Sequence, residues 1–159
     1  MNFRIGFGYD VHRFTEGNYL TLGGIAIPHN KGILAHSDGD VLIHAICDAI
    51  LGAANLRDIG YHFPDTADEF KGIDSKIILQ KTLKLIKDKG FSIVNIDSTV
   101  CLQKPKIKSY ISEMQKALSD VMKTSVDNIS IKATTTEKMG FVGNEEGISA
   151  YCVCLIEKR

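Results

Sequence analysis

Neither sign of charge is in surplus: 19 lysines and arginines face 19 aspartates and glutamates, so the formal net charge is zero. The chain lacks the basic excess that neutralises a nucleic-acid backbone, which argues against a nucleic-acid partner and leaves any anionic ligand to a few placed groups. Its apolar stretches fall well short of the ~20 residues that cross a bilayer, so no membrane partner is expected. The start, MNFRIGFGYDVH, lacks the basic, apolar and small-residue sections of a signal peptide, and the expected location is cytoplasmic. There is no C-x-x-C pair. Cys47, Cys101, Cys152 and Cys154 each lie in an apolar segment, and Cys152 and Cys154, two apart on a strand, share one face, which suits core thiols better than a disulfide. No repeat, linker or low-complexity tract divides the 159 residues, and no serine or cysteine sits in a nucleophile-base constellation. One domain of this size buries roughly 70% of the surface of its extended chain.

What is present alternates between the two regular periods. FRIGFGYDVHRF (3–14) is rich in β-branched and aromatic residues and reads as a strand, and YLTLGGIAI (19–27) as a hairpin or bent strand around Gly23-Gly24. Ser37-Asp38-Gly39-Asp40 supplies helix-start residues before VLIHAICDAILGAANL, where Asp40, His44 and Asp48 form one polar stripe on an otherwise apolar helix. Residues 55–73 lack periodicity and read as a long loop, a frequent location of function. A helix then opens at Asp74 or Ser75 and stops at Gly90, followed by the strand FSIVNIDSTVCL, a third helix after Pro105, and strands at NISIKATTT and GISAYCVCLIEKR flanking a glycine-containing turn. The order is roughly ββ-α-β-α-ββ in a single α/β domain of the α+β type, a mixed sheet with helices packed on one face.

Four segments can carry chemistry. Asp10 and His12 point to the same side of a strand, and His44 joins them if the polar stripe of the first helix packs over that strand. Two imidazoles and one carboxylate with an open fourth position suit a catalytic zinc ion, although a D-x-H triplet and a helical histidine also occur as ordinary hydrogen-bonded residues. Asp40 and Asp48, one turn either side of His44, are candidates to orient its ring or are simply solvated. AHSDGD (35–40) offers backbone N–H groups at a helix start, either to an anion or only as a cap. DIGYHFPD (58–65) sets Asp58, His62 and Asp65 around Gly60 in a loop, and KATTTEKMGF (132–141) combines threonine hydroxyls with Glu137, a carboxylate suited to magnesium beside phosphate.

Together, GYDVHRF (8–14), AHSDGDV (35–41) with His44, DIGxxFPDT (58–66) and KATTTEKMGF (132–141) resemble the 2-C-methyl-D-erythritol 2,4-cyclodiphosphate synthase family over essentially the whole chain. The resemblance implies a homotrimer with active sites between subunits. It also implies a phosphorus-oxygen lyase that closes 4-diphosphocytidyl-2-C-methyl-D-erythritol 2-phosphate to the cyclodiphosphate with release of CMP. By the same resemblance Asp10, His12 and His44 hold zinc or another divalent transition metal, and Glu137 helps hold magnesium or manganese. His36 and Thr135 are implied as catalytic, and Asp10, His12, His36 and Ser37 as substrate contacts on the phosphate side. Asp58, Ile59, Gly60, Phe63, Pro64 and Asp65 correspond to the methylerythritol pocket. Lys106, Ala133, Thr134, Thr135, Thr136, Glu137 and Phe141 fall in the cytidine and phosphate region. Two departures stand out: Ala67 follows Asp65-Thr66 where relatives often carry an aspartate, and Asn144 stands where many carry an arginine that lines a pocket on the trimer axis. The second weakens the case for an anionic ligand at that axis. An open zinc position also permits a metallohydrolase, and a threonine-rich strand end permits a nucleotide sensor.

Overall fold

Strict alternation along β1 (Phe3–Thr15) sets the architecture, since Phe3, Ile5, Phe7, Tyr9 and Val11 are exposed while Gly6 and Gly8 are buried on the other side. The computed structural model describes residues 2–159. β1 lies in a five-stranded mixed sheet of order β4-β1-β7-β5-β6, with β4 (Gly32–Leu34), β5 (Phe91–Cys101), β6 (Ile129–Thr134) and β7 (Gly147–Lys158). Only β5 and β6 run parallel; β1 and β7 pair antiparallel along eleven positions from Phe3↔Glu157 to Arg13↔Gly147. Ile148, Ala150, Cys152, Cys154 and Ile156 of β7 face the helices, with Ile96, Val100, Ile129 and Ile131 of β5 and β6. Both thiols expected in the core are there, as are Cys47 and Cys101.

Helix α1 (Val41–Ala53) lies centrally on β1 and β7 and is buried over nearly its whole circumference, which is why its sequence is apolar on all sides except the stripe. Each of its fully buried leucines and isoleucines contributes about 1.5–3 kcal/mol over an exposed position. Helix α3 (Ser75–Asp88) flanks it, and α4 (Ile111–Met122) closes the layer through Met114, Leu118 and Met122. The hairpin of β2 (Tyr19–Leu22) and β3 (Ile25–Pro28) turns at Gly23 and Gly24, whose φ values of 60° and 81° are what a two-residue hairpin turn of type I′ demands.

The element order expected from sequence needs correcting where elements are short. Residues 55–73 contain a four-residue helix, α2 (Ile59–His62), and a 3-10 turn at Asp68–Phe70; the glycine turn before β7 contains α5 (Gly140–Gly143). Elements of three or four residues, β4 included, span too few repeats of their period to show in the sequence unless a turn signal marks them, as Gly23-Gly24 does for β2 and β3. No helix among the described residues is long and apolar enough to cross a membrane. Among the described residues no layer covers the outer sheet face: Ile5 is 73% exposed, Phe7 61% and Val153 45%, beside Tyr9 and Tyr151 with ring centroids 4.9 Å apart.

Candidate active site

The inward side of β1 carries Gly6, Gly8, Asp10 and His12 in succession, and the two glycines let the helix approach. A Cβ on Gly8 would stand 2.0 Å from the Ala45 carbonyl oxygen and one on Gly6 1.9 Å from that of Ala49, so α1 rests directly on the strand backbone. That contact brings His44, on the first turn of α1, against the next two inward residues of β1. Asp10 Oδ2 lies 3.0 Å from His12 Nε2 and 3.0 Å from His44 Nδ1, and the two ring nitrogens are 3.1 Å apart. Among the described residues this is the one group of three such side chains placed to hold a metal ion.

The donor set fits a divalent ion. Three donors in a near-equilateral triangle come close to the edge of about 3.3–3.4 Å that a tetrahedron with ~2.0–2.1 Å bonds requires. His44 Nε2 lies 2.9 Å from Ser75 Oγ and 3.2 Å from Ser37 Oγ, so its second nitrogen has hydrogen-bond partners of its own while Nδ1 faces Asp10 and His12. Burial raises the Asp10 carboxyl, but hydrogen bonds and charge from His12 and His44 outweigh it and hold the group at about 2, ionised as a ligand must be.

The triangle opens on a pocket of about 450 Å³ lined by Asp10, His12, His36, Ser37 and His44 on one side. Ile59, Gly60, Phe63, Pro64 and Asp65 form the other side, with Phe70, Ile73 and Ile78 at the base. Two loops that frame it are laced together: Gly72 N–H donates to the His36 carbonyl (2.7 Å), Asp38 N–H to that of Ile73 (3.1 Å), and the His36 ring meets the Ala67 carbonyl at 3.2 Å. Asp58 does not line this pocket: it is the N-cap of α2, whose Ile59 and Gly60 do, and its carboxylate accepts from Tyr61 N–H.

The C-terminal candidates gather elsewhere. Lys106, Ala133, Thr134 and Thr135 line a cleft of about 100 Å³ with Leu102, Pro105 and Ile107. Glu137, left-handed at φ 54°, and Thr136 and Phe141 sit on the exposed turn beyond it, with Thr135 Oγ1 3.5 Å from Glu137 Oε1. Within one chain these residues line no wall of the pocket at Asp10. A larger cleft, about 530 Å³, lies between Arg13–Glu16, Lys31 and Asn144–Glu146 and holds none of the candidate residues; its size is no argument for chemistry there.

The two carboxylates flanking His44 do other work than orienting its ring. Asp40 is fully buried and accepts from Ile43 N–H of α1 and from Gly23 and Gly24 N–H of the hairpin at 2.7–3.0 Å. Asp48 accepts from Ile59 N–H at 3.1 Å and so tethers α2. The partners of His44 are Ser37 and Ser75 instead. Ser75 and the apolar wall of Phe70, Ile73 and Ile78 escaped sequence reasoning, because a serine at a helix start and apolar side chains before it look the same whether or not a pocket adjoins them.

The pattern that defines the YgbB family matches residues 3–157. The 2-C-methyl-D-erythritol 2,4-cyclodiphosphate synthase of Bacteroides fragilis is 61% identical over 158 residues, 99% of each chain. Among solved structures, the bifunctional IspDF of Campylobacter jejuni superposes with a TM-score of 0.96 at 40% identity, covering 99% of this chain and 43% of that longer one. The IspF of Plasmodium falciparum, solved as a CDP complex, superposes with a TM-score of 0.87 at 37% identity, covering 99% and 97%.

Proposed function

The chain belongs to the YgbB family, with the 2-C-methyl-D-erythritol 2,4-cyclodiphosphate synthases, and from that premise we propose how its residues carry out the cyclisation. The observation that carries the reading is the convergence of Asp10, His12 and His44 at the mouth of the pocket walled by residues 59–65. The enzyme is a phosphorus-oxygen lyase. An oxygen of the substrate's 2-phosphate forms a bond to the β-phosphorus of the diphosphate, the bond from that phosphorus to the bridging oxygen breaks, and CMP leaves with the electron pair. Water is not consumed.

Like charge opposes the approach of two phosphates. Asp10, His12 and His44 would hold zinc, and Glu137 magnesium or manganese; when bound, such ions supply charge neutralisation and Lewis-acid polarisation. His36 and Ser37, on the loop beside the triangle, face the phosphate side, where the His36 ring and the Ser37 hydroxyl can donate to phosphate oxygens. Asp58, Ile59 and Gly60 receive the methylerythritol hydroxyls, with Phe63, Pro64 and Asp65 as the wall that excludes water. Lys106, Ala133, Thr134 and Thr136 take the cytidine diphosphate end, Thr135 contacts its phosphate and Phe141 borders it; the CDP complex of the Plasmodium relative supports a nucleotide-linked substrate. His36 and Thr135 are the catalytic pair in this scheme. Since nucleophile and electrophile belong to one molecule, holding it folded lowers the barrier, by up to about 7–11 kcal/mol in favourable cases.

The reading takes residues 1–159 as one cyclodiphosphate synthase domain in a homotrimer with active sites between subunits. Two observations support the trimer. The apolar outer face of β1 and β7 is left uncovered by the described residues, and the cleft at Lys106 and Thr135 is separate from the pocket at Asp10 in one subunit, as expected if neighbours complete each other's sites.

Phosphorus-31 NMR of a turnover mixture with the cytidyl substrate and magnesium tests the scheme. Equimolar CMP and cyclic diphosphate are expected, with no oxygen-18 taken up from labelled water. Linear methylerythritol phosphates, or labelled product, would establish hydrolysis instead.

A further inference from the structure

The ring of His44 is held from behind by a chain of hydroxyl and carboxylate that no sequence motif announces. His44 is 7% exposed, and its Nε2 lies 2.9 Å from the hydroxyl of Ser75, a residue with no exposed surface at the first position of α3. The Ser75 hydroxyl is in short contact with Asp38 Oδ1, and Ser75 N–H donates to Asp38 Oδ2 at 2.9 Å. Asp38 also accepts from Asp40 N–H at 3.2 Å. Backbone N–H groups can only donate, so two of them fix Asp38 as an acceptor. The Ser75 hydroxyl proton then points to Asp38, and its oxygen is left with lone pairs toward His44.

A lone pair there requires a proton on Nε2, and a neutral imidazole has only one N–H. We infer that Ser75 and Asp38 are positioning residues for the metal site: by accepting from His44 Nε2–H they hold the rotation of the ring and leave Nδ1 as the nitrogen that faces an ion shared with Asp10 Oδ2 and His12 Nε2. Ser37 Oγ, 3.2 Å from Nε2 and itself taking Gly39 N–H at 3.2 Å, is the weaker second acceptor. Orientation of a metal ligand thus depends on where α3 begins, 31 residues from His44 in the chain. The inference rests on the zinc reading above, yet it concerns a hydrogen-bond arrangement that exists without the ion.

The bland alternative is that Asp38 and Ser75 only tie the loop before α1 to the start of α3. Ser75→Ala separates the two, because the backbone tether from Ser75 N–H to Asp38 survives it. Nitrogen-15 histidine spectra of the zinc-loaded protein at fixed pH should show a slowly exchanging His44 Nε2–H in the parent and a rapidly exchanging one in Ser75→Ala. Zinc affinity, read by competition with a chromophoric chelator, should fall roughly 10–100-fold, as is usual when an outer-shell partner is removed. Asp38→Asn should do the same, since an amide can donate to Ser75 Oγ and reverse the chain, and the double variant should bind no more weakly than the weaker single one. Asp74→Ala, which removes the cap accepting from Lys76 N–H, should lower the melting temperature while leaving Nε2–H exchange and affinity alone.

Unchanged Nε2–H exchange and affinity in both Ser75→Ala and Asp38→Asn would overturn the inference, as would an equal loss in Asp74→Ala. If the parent bound no zinc, the zinc reading would fail while the Nε2–H exchange comparison, made on the metal-free protein, still decided the hydrogen-bond chain. Should Ser75→Ala not fold, Asp38→Asn alone decides by the same two readouts.

Discussion

Replacing Gly8 by alanine should damage the candidate metal site from a position outside the Asp10, His12 and His44 triangle. The added Cβ would stand 2.0 Å from the Ala45 carbonyl oxygen and 2.6 Å from Ala49 N, both backbone atoms of α1 that no rotamer change can move away. Restoring ordinary contact at ~3.4 Å requires the helix to withdraw by about 1 Å or more. Asp10 follows Gly8 by two residues and His44 precedes Ala45 by one, so the 3.0 Å between Asp10 Oδ2 and His44 Nδ1 opens by a similar amount. The triangle then exceeds the ~3.3–3.4 Å edge that tetrahedral zinc accepts. Overpacking of this kind costs about 1–3 kcal/mol, and zinc affinity should fall by at least the roughly 10–100-fold typical of a disturbed outer shell. Gly52→Ala is the control: its Cβ meets only the Phe7 carbonyl oxygen at 4.0 Å, within α1, and should stabilise the fold by about 0.4–1 kcal/mol. Urea denaturation and chelator competition on both variants give the answer. A Gly8→Ala protein with unchanged midpoint and undiminished zinc binding would refute the argument that strand-helix contact sets the ligand geometry.

Asp40→Ala should be among the most destabilising single changes, because it removes the α1 cap, worth about 1 kcal/mol, and strands the Gly23 and Gly24 N–H groups at about 1–3 kcal/mol each if they remain buried; chemical denaturation measures it. Phe7→Glu on the open sheet face should yield a folded monomer by sedimentation with turnover lost, whereas a wild-type monomer that turns over would contradict the shared-site arrangement. Asp10 supplies a pH dependence. Its folded value, about 2, lies below the ordinary 3.8, so in metal-free protein its contribution is complete above pH 3.8 and is lost as pH falls through about 2. That contribution is on the order of 2 kcal/mol, and Asp10→Asn without metal should show a correspondingly flatter acid limb in urea titrations between those values.

Elements longer than two turns or four strand residues were legible because their periods repeat, and the short hairpin strands because Gly23-Gly24 marks their turn. The alternation of β1, the all-round apolar character of α1, the stop of α3 at Gly90 and the Gly23-Gly24 hairpin all stand where the pattern put them. The same local logic placed Asp10 and His12 on one side of a strand and found His44 on the stripe. It failed for Asp40 and Asp48, which share that stripe by spacing. Asp40 is instead drawn to orphan N–H groups at the helix start and the hairpin turn, and Asp48 to α2. What decides such cases is which backbone donor lies within reach, a property of the packed layers. Gly6 and Gly8 read as ordinary strand residues until α1 is laid across them, and Ser75 as an ordinary helix start until His44 is behind it.

The claim on which the rest depends is that Asp10, His12 and His44 bind one divalent ion. Diffraction data collected on either side of the zinc absorption edge, from crystals of the protein grown without added metal chelator, test it directly. One anomalous peak within bonding distance of Asp10 Oδ2, His12 Nε2 and His44 Nδ1, absent in His44→Ala along with turnover, is the predicted result. An active enzyme with no peak at that position would contradict it.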